Sequence, residues 1–169
     1  MNTLLRAGMW FITAVEITVG VVATLTPRWF YDNVPWVDLA PQFAEHLMRD
    51  YGAMNLALGL VTAVAAFTMD RVMVRTSLAA CLLFAVPHLI FHVTHHEHYT
   101  ASQAVGETTA LTIAVLLPLA LLAVASSLAE TAHRSHVTNS RSPSSLEGSL
   151  ARAAPAILGC PSIPLTAEG

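Results

Sequence analysis

The chain contains no lysine. Its eight basic residues are all arginines, set against eleven acids, for a formal charge of −3. Charged residues fill only 11% of the 169 positions, where a soluble domain carries roughly a quarter. So few charges cannot clothe an aqueous surface, and no basic patch is large enough to hold a nucleic acid. Cysteine is nearly absent too. Cys81 lies inside an apolar run and Cys160 near the C-terminus, so no disulfide framework is implied. The motifs CxxC, CxxCH and HExxH are all missing, and no serine stands in a nucleophile elbow.

What the chain does have is hydrophobic residues, 54% of the total, gathered in long runs. A membrane-crossing helix needs about 20 mostly apolar residues. Residues 4–25, 51–69, 74–93 and 108–128 each qualify, the first tolerating Glu16, the second Asn55, the third His88 and His92. A soluble bundle would need a polar face on every helix, and residues 78–90 and 111–124 carry no charged face. The expected fold class is therefore all-α: a four-transmembrane-helix bundle over residues 1–128. A disordered, flexible C-terminal tail is expected over residues 129–169, from eight serines in 126–150 and the breaks at Pro155, Pro161 and Pro164. The first segment opens like a secretory signal at Arg6. Its length, the interruption at Glu16 and the lack of a small-x-small cleavage site predict an uncleaved helix.

The arginines set an orientation. Arg6, Arg71, Arg75, Arg134, Arg141 and Arg152 fall on one side, and Arg28 and Arg49 on the other. The positive-inside rule then predicts both termini in the cytoplasm, with the loops 26–49 and 94–106 facing outward. Trp29, Phe30, Tyr31, Trp36 and Tyr99 lie in or beside those loops, where aromatic rings anchor at the membrane edge. Pro27, Pro35 and Pro41 break up the first loop, and a short interfacial helix is expected after Pro41, with Phe43 and Leu47 dipping into the lipid. In the second segment Gly52, Asn55, Gly59 and Ala66 recur at helical spacing beside Thr62. That is a seam for close helix packing, with Asn55 expected to bond across it. Pro87 and Pro118 each remove a backbone donor, and a kink at Pro87 would splay the end of its helix.

Polar groups inside a membrane are expensive and point to function. Counting back from the outer ends at 1.5 Å per residue gives about 15 Å for Glu16, about 10 Å for His88, about 7 Å for Asn55 and about 5 Å for His92 and Glu107. All lie in the outer half. His88 and His92 share a helix face, and His95 or His96 would continue it for one more turn. Imidazoles spaced in this way can bind one metal, and Glu97 and His98 add ligand types suited to zinc, copper or iron. His46 and Asp50, with Glu45, open the second segment.

His88, His92, His95, His96 and His46 are thus the ligand or metal candidates. Glu16, Glu107, Asn55, Arg49 and Asp50 are the proton-handling or supporting ones. Two alternatives stand beside this: histidines that only bond Glu16, Asn55 or a carbonyl, and a proton relay. For Glu16 the first expected partner is His88 and the second Arg49. Arg49 and Asp50 could instead pair locally with Glu45 or His46.

The run Arg49-Asp50-Tyr51-Gly52-Ala53-Met54-Asn55-Leu56-Ala57-Leu58-Gly59 resembles the start of helix 2 in small bacterial four-helix membrane proteins, including DoxX-like proteins. Pro87-His88-Leu89-Ile90-Phe91-His92 resembles a helix 3 segment of actinobacterial members of that broad group. The resemblance covers residues 1–128 and rests mostly on small and apolar residues. It implies a four-helix bundle in the cytoplasmic (inner) membrane and association with quinone-linked sulfur oxidation, and it carries over no catalytic residue.

The leading functional expectation is an accessory subunit whose outward-facing His/Glu pocket binds a metal ion, haem or quinone. One rival is a proton-coupled transporter or channel subunit. The other is a structural membrane scaffold whose tail recruits a partner. The expected partners are the lipid bilayer and either a membrane protein or further copies of the chain.

Overall fold

The computed structural model describes residues 3–39 and 42–140. Its order is α1 (Thr3–Leu25), α2 (Pro27–Asn33), a single 3-10 turn (Val37–Leu39), α3 (Glu45–Thr68), α4 (Arg71–Val93) and α5 (Ala101–Ser140). No strand occurs among the described residues. Four helical stretches are long and apolar enough to cross a membrane: Thr3–Leu25, Glu45–Thr68, Arg71–Val93 and Ala101–Ser127. Their outward faces agree with lipid as the solvent. Leu83 is 79% exposed and Phe67 67% exposed, areas that water would penalise heavily.

Each break has a local cause. Pro27 cannot continue α1 but suits the first position of α2. The short helix of the first loop therefore starts there and not after Pro41, where it was expected, and α3 begins only at Glu45. Between α3 and α4 the turn is tight. Met69 closes α3 in the left-handed conformation, φ 50°, with its N–H on the Ala65 carbonyl. Asp70 then caps α4, its Oδ1 accepting from Val72 and Met73 N–H at 3.0 Å each. α4 continues through Pro87 as one helix.

α5 starts seven residues earlier than the apolar run suggested. Thr100 and Gln103 form a capping box: Thr100 N–H donates to Gln103 Oε1 at 2.9 Å, and Gln103 N–H returns to Thr100 Oγ1 at 3.4 Å. The chain divides into compact units at Met1–Ser126 and Ser127–Gly169. Residues 129–140, expected as disordered tail, are helical, because Ala129 and Ala132 favour helix and the first strong breaker is Pro143. The rest of that expected tail, residues 141–169 with Cys160, lies outside the described residues.

α1 and α3 are antiparallel and form the tightest contact, through glycines on both sides. A Cβ on Gly52 would sit 2.6 Å from Thr24 N and 2.9 Å from Gly20 O, and one on Gly20 would sit 2.8 Å from Leu56 N. The expected seam is therefore real, with Gly52, Asn55, Gly59, Thr62 and Ala66 all buried. Asn55 plays a different part from the one expected. Its amide donates to the Tyr51 carbonyl of its own helix at 2.7 Å; the bond across the seam is Thr13 Oγ1 to Thr62 Oγ1, 3.0 Å. At the end of the bundle near the N-terminus, Leu5, Met9, Ile12, Ala65, Ala66, Val74, Leu78, Cys81 and Leu121 make one apolar core. The polar groups gather at the opposite end.

Candidate functional site

The centre of that opposite end is Glu107, buried at 5% exposure in the second turn of α5. His92, in the last turn of α4, brings Nδ1 to 2.8 Å from Glu107 Oε1. Tyr99 donates its hydroxyl to the same oxygen at 2.9 Å, with the Trp36 carbonyl 3.3 Å away as a second acceptor. His96 Nε2 lies 3.3 Å from Glu107 Oε2. That contact lacks hydrogen-bond alignment, and both atoms are buried without a bonded partner. Burial, then the bond to Glu107, push the Tyr99 phenol above its ordinary value, so it stays a donor. One carboxylate thus joins both helix ends and the loop between them.

Trp36 ties the first loop to this cluster. Its backbone adopts φ 70°, a conformation uncommon outside glycine. Its ring lies so close over Gly106 that a Cβ there would sit 2.8 Å from Cζ2. Trp36 therefore holds its part of the loop against the start of α5, and Val34, Val37, Gln42 and Ala44 help to wall a cavity of about 480 Å³. Trp29, Phe30, Tyr31, Val34 and Val37 form one side; Thr18, Val19, Val22, Leu47, Met48 and Tyr51 form another; His88 and His92 supply the polar end. A second cavity of about 280 Å³ lies toward the middle of the bundle, with Glu16, Tyr51, Asn55, Cys81 and His88 among its walls. Val19, Tyr51 and His88 border both cavities.

His88 is held by its rings alone. It stacks on Tyr51 (5.9 Å, 26°) and Phe84 (5.1 Å, 29°) and meets His92 edge-on at 4.6 Å. Among the described residues neither of its nitrogens has a hydrogen-bond partner. His92, one turn on, faces both the larger cavity and Glu107.

The structure brings together His88, His92, His96 and Glu107, and separates the other candidates from them. His95 turns back on its own helix, Nδ1 2.8 Å from the Phe91 carbonyl and its ring stacked on Phe91 at 4.3 Å. His46 and Asp50 are exposed on the first turns of α3. Arg49 pairs with Glu45 at 2.8 Å and donates to the Thr24 carbonyl at 2.5 Å, which is the local pairing and leaves it unavailable to Glu16. Among the described residues Glu16 has no ion pair, and its Oε2 is buried without a hydrogen bond; it shares a cavity with His88 without bonding it. No three described His, Cys, Asp or Glu side chains converge as a metal site.

From sequence alone Tyr99 and Trp36 read only as membrane anchors, and Tyr51 has no role. The Thr100-x-x-Gln103 capping box was the signal that could have placed Glu107 inside a helix opposite His92. No family model, curated protein or solved structure matches the chain.

Proposed function

We propose that this is a small multi-pass protein of the cytoplasmic membrane, of the DoxX-like kind, with both termini inside. In this reading it serves as an accessory subunit that binds a lipid-soluble quinone. The carrying observation is the 480 Å³ cavity, walled by Trp29, Phe30 and Tyr31 and ending on His88 and His92. Its size falls within the roughly 300–1,000 Å³ of small-molecule sites, which pair apolar walls with a few fixed polar groups. A flat apolar ring fits between such walls, and an imidazole N–H can hold the carbonyl at its edge. Glu107 behind His92 fixes that ring's orientation, as a carboxylate does for a histidine whose other nitrogen meets a ligand. The site opens at the membrane edge, where a lipid-soluble molecule arrives.

The test is calorimetric titration of a short-chain quinone into the protein in lipid nanodiscs. Saturable binding is expected, about tenfold weaker in His92→Ala, the loss of one strong hydrogen bond. Absence of saturable binding, or unchanged affinity in His88→Ala/His92→Ala, overturns the reading. A metal analysis and a haem spectrum of the same preparation test the other two ligands.

A further inference from the structure

The smaller cavity has a feature that ring binding does not use. Glu16 lies midway along α1, and its Oε2 is buried with no hydrogen-bond partner. No cation faces it. Around the cavity it lines stand Tyr51 and Asn55 from α3, Cys81, Phe84 and His88 from α4, and only apolar side chains from α5. A lone carboxylate in such surroundings is so costly that the group holds its proton instead.

The exits are unequal. Toward the histidine end, the cavity of about 280 Å³ has room for water, which needs polar partners; Glu16, Tyr51, Asn55 and His88 provide them. The His88 and His92 rings lie edge-on with centroids 4.6 Å apart, and His92 Nδ1 is 2.8 Å from Glu107 Oε1. Toward the other end the buried hydroxyls are Thr13, Thr62 and Ser77, the last donating to the Val74 carbonyl at 3.0 Å. Thr13 donates to Thr62, and Thr62 donates to the Leu58 and Gly59 carbonyls at 2.9 and 3.0 Å. Carbonyl oxygens accept a proton bond and pass nothing on. Below them Met9 and Leu78, both fully buried, close the bundle.

We propose that Glu16 is a proton-storage site that exchanges with the histidine end alone, through the smaller cavity, His88 and His92. In each exchange the proton leaves the Glu16 carboxyl, His88 becomes imidazolium, and His92 and Glu107 carry the charge outward; the return reverses these steps. Its service to a bound quinone rests on the reading above, whereas the storage site itself does not.

Infrared spectroscopy of ligand-free protein in lipid at neutral pH tests the storage site without any quinone. A carboxylic-acid C=O band that shifts in D₂O is expected, lost in Glu16→Gln and slower to shift in His88→Phe. Absence of the band, its survival in Glu16→Gln, or an unchanged exchange rate in His88→Phe overturns the proposal. Proteoliposomes under a pH gradient test the closed side: proton flux should equal that of empty vesicles. Flux above that level removes the one-sided claim and favours a transporter. If quinone binding fails while the band behaves as expected, only the quinone reading falls.

Discussion

Glu107 shows how one side chain can organise a loop. It accepts the Tyr99 hydroxyl on one oxygen, with His92 Nδ1 2.8 Å from that same oxygen and His96 beside the other. Tyr99→Phe should therefore destabilise the protein by about 1 kcal/mol, the usual net worth of such a bond, read as a lower midpoint of thermal unfolding in detergent. The pH dependence of this contact has a definite sign. A phenol whose folded value is raised contributes stability that is complete below its unfolded value, about 10, and is lost as pH rises through the folded value. Tyr99 should thus contribute evenly across neutral pH and fail only in strong alkali. Wild type and Tyr99→Phe should converge in stability above that range and stay apart below it. Convergence at neutral pH would show that some other group controls the loop.

At the scale of elements, the α1–α3 contact depends on what is missing from it. At Gly20 and Gly52 a Cβ would meet backbone atoms of the opposite helix, which no rotamer change relieves. Gly52→Val should cost about 1–3 kcal/mol, the range for overpacking, and Gly52→Ala should cost less. Thermal unfolding of the two variants checks the order. Because Tyr51 and His88 border both cavities, the same substitution should also weaken ring binding by moving α3 away from α1. A different device sets the α3–α4 turn, where Asp70 takes two backbone donors. Asp70→Ala should lower stability by about 1 kcal/mol and leave binding unchanged, since the turn lies at the far end from the cavities.

Across the whole molecule the bundle has two unlike halves. The N-terminal end is a closed apolar core, and the opposite end holds the cavities, the histidines and most of the aromatic rings. The orientation proposed from the arginine distribution would put this end on the outer face of the membrane. A membrane-impermeant maleimide applied to intact cells should label His98→Cys and spare Arg71→Cys, both made in a Cys81→Ala/Cys160→Ala background. The reverse pattern would turn the bundle over and put the proposed quinone site on the cytoplasmic side. The proton port would then exchange with the cytoplasm.

The helix class, the four spans, the small-residue seam on α3 and the one-sided distribution of polar groups follow from residue order alone. They depend on composition and on the 3.6-residue period, both local. The helix ends at Asp70 and Thr100 were equally local, written as caps, but apolar runs drew the boundaries elsewhere. Which polar residues meet was decided only by tertiary structure. His95 stands one turn from His92 yet folds back on Phe91, because the helix ends at Val93 and its last carbonyls need donors. Arg49 is consumed locally, and Glu16 shares a cavity with His88 without bonding it. Val34 and Val37 become part of a cavity wall because Trp36 between them and Gly106 fit each other across 70 residues of chain, a contact that no local pattern encodes.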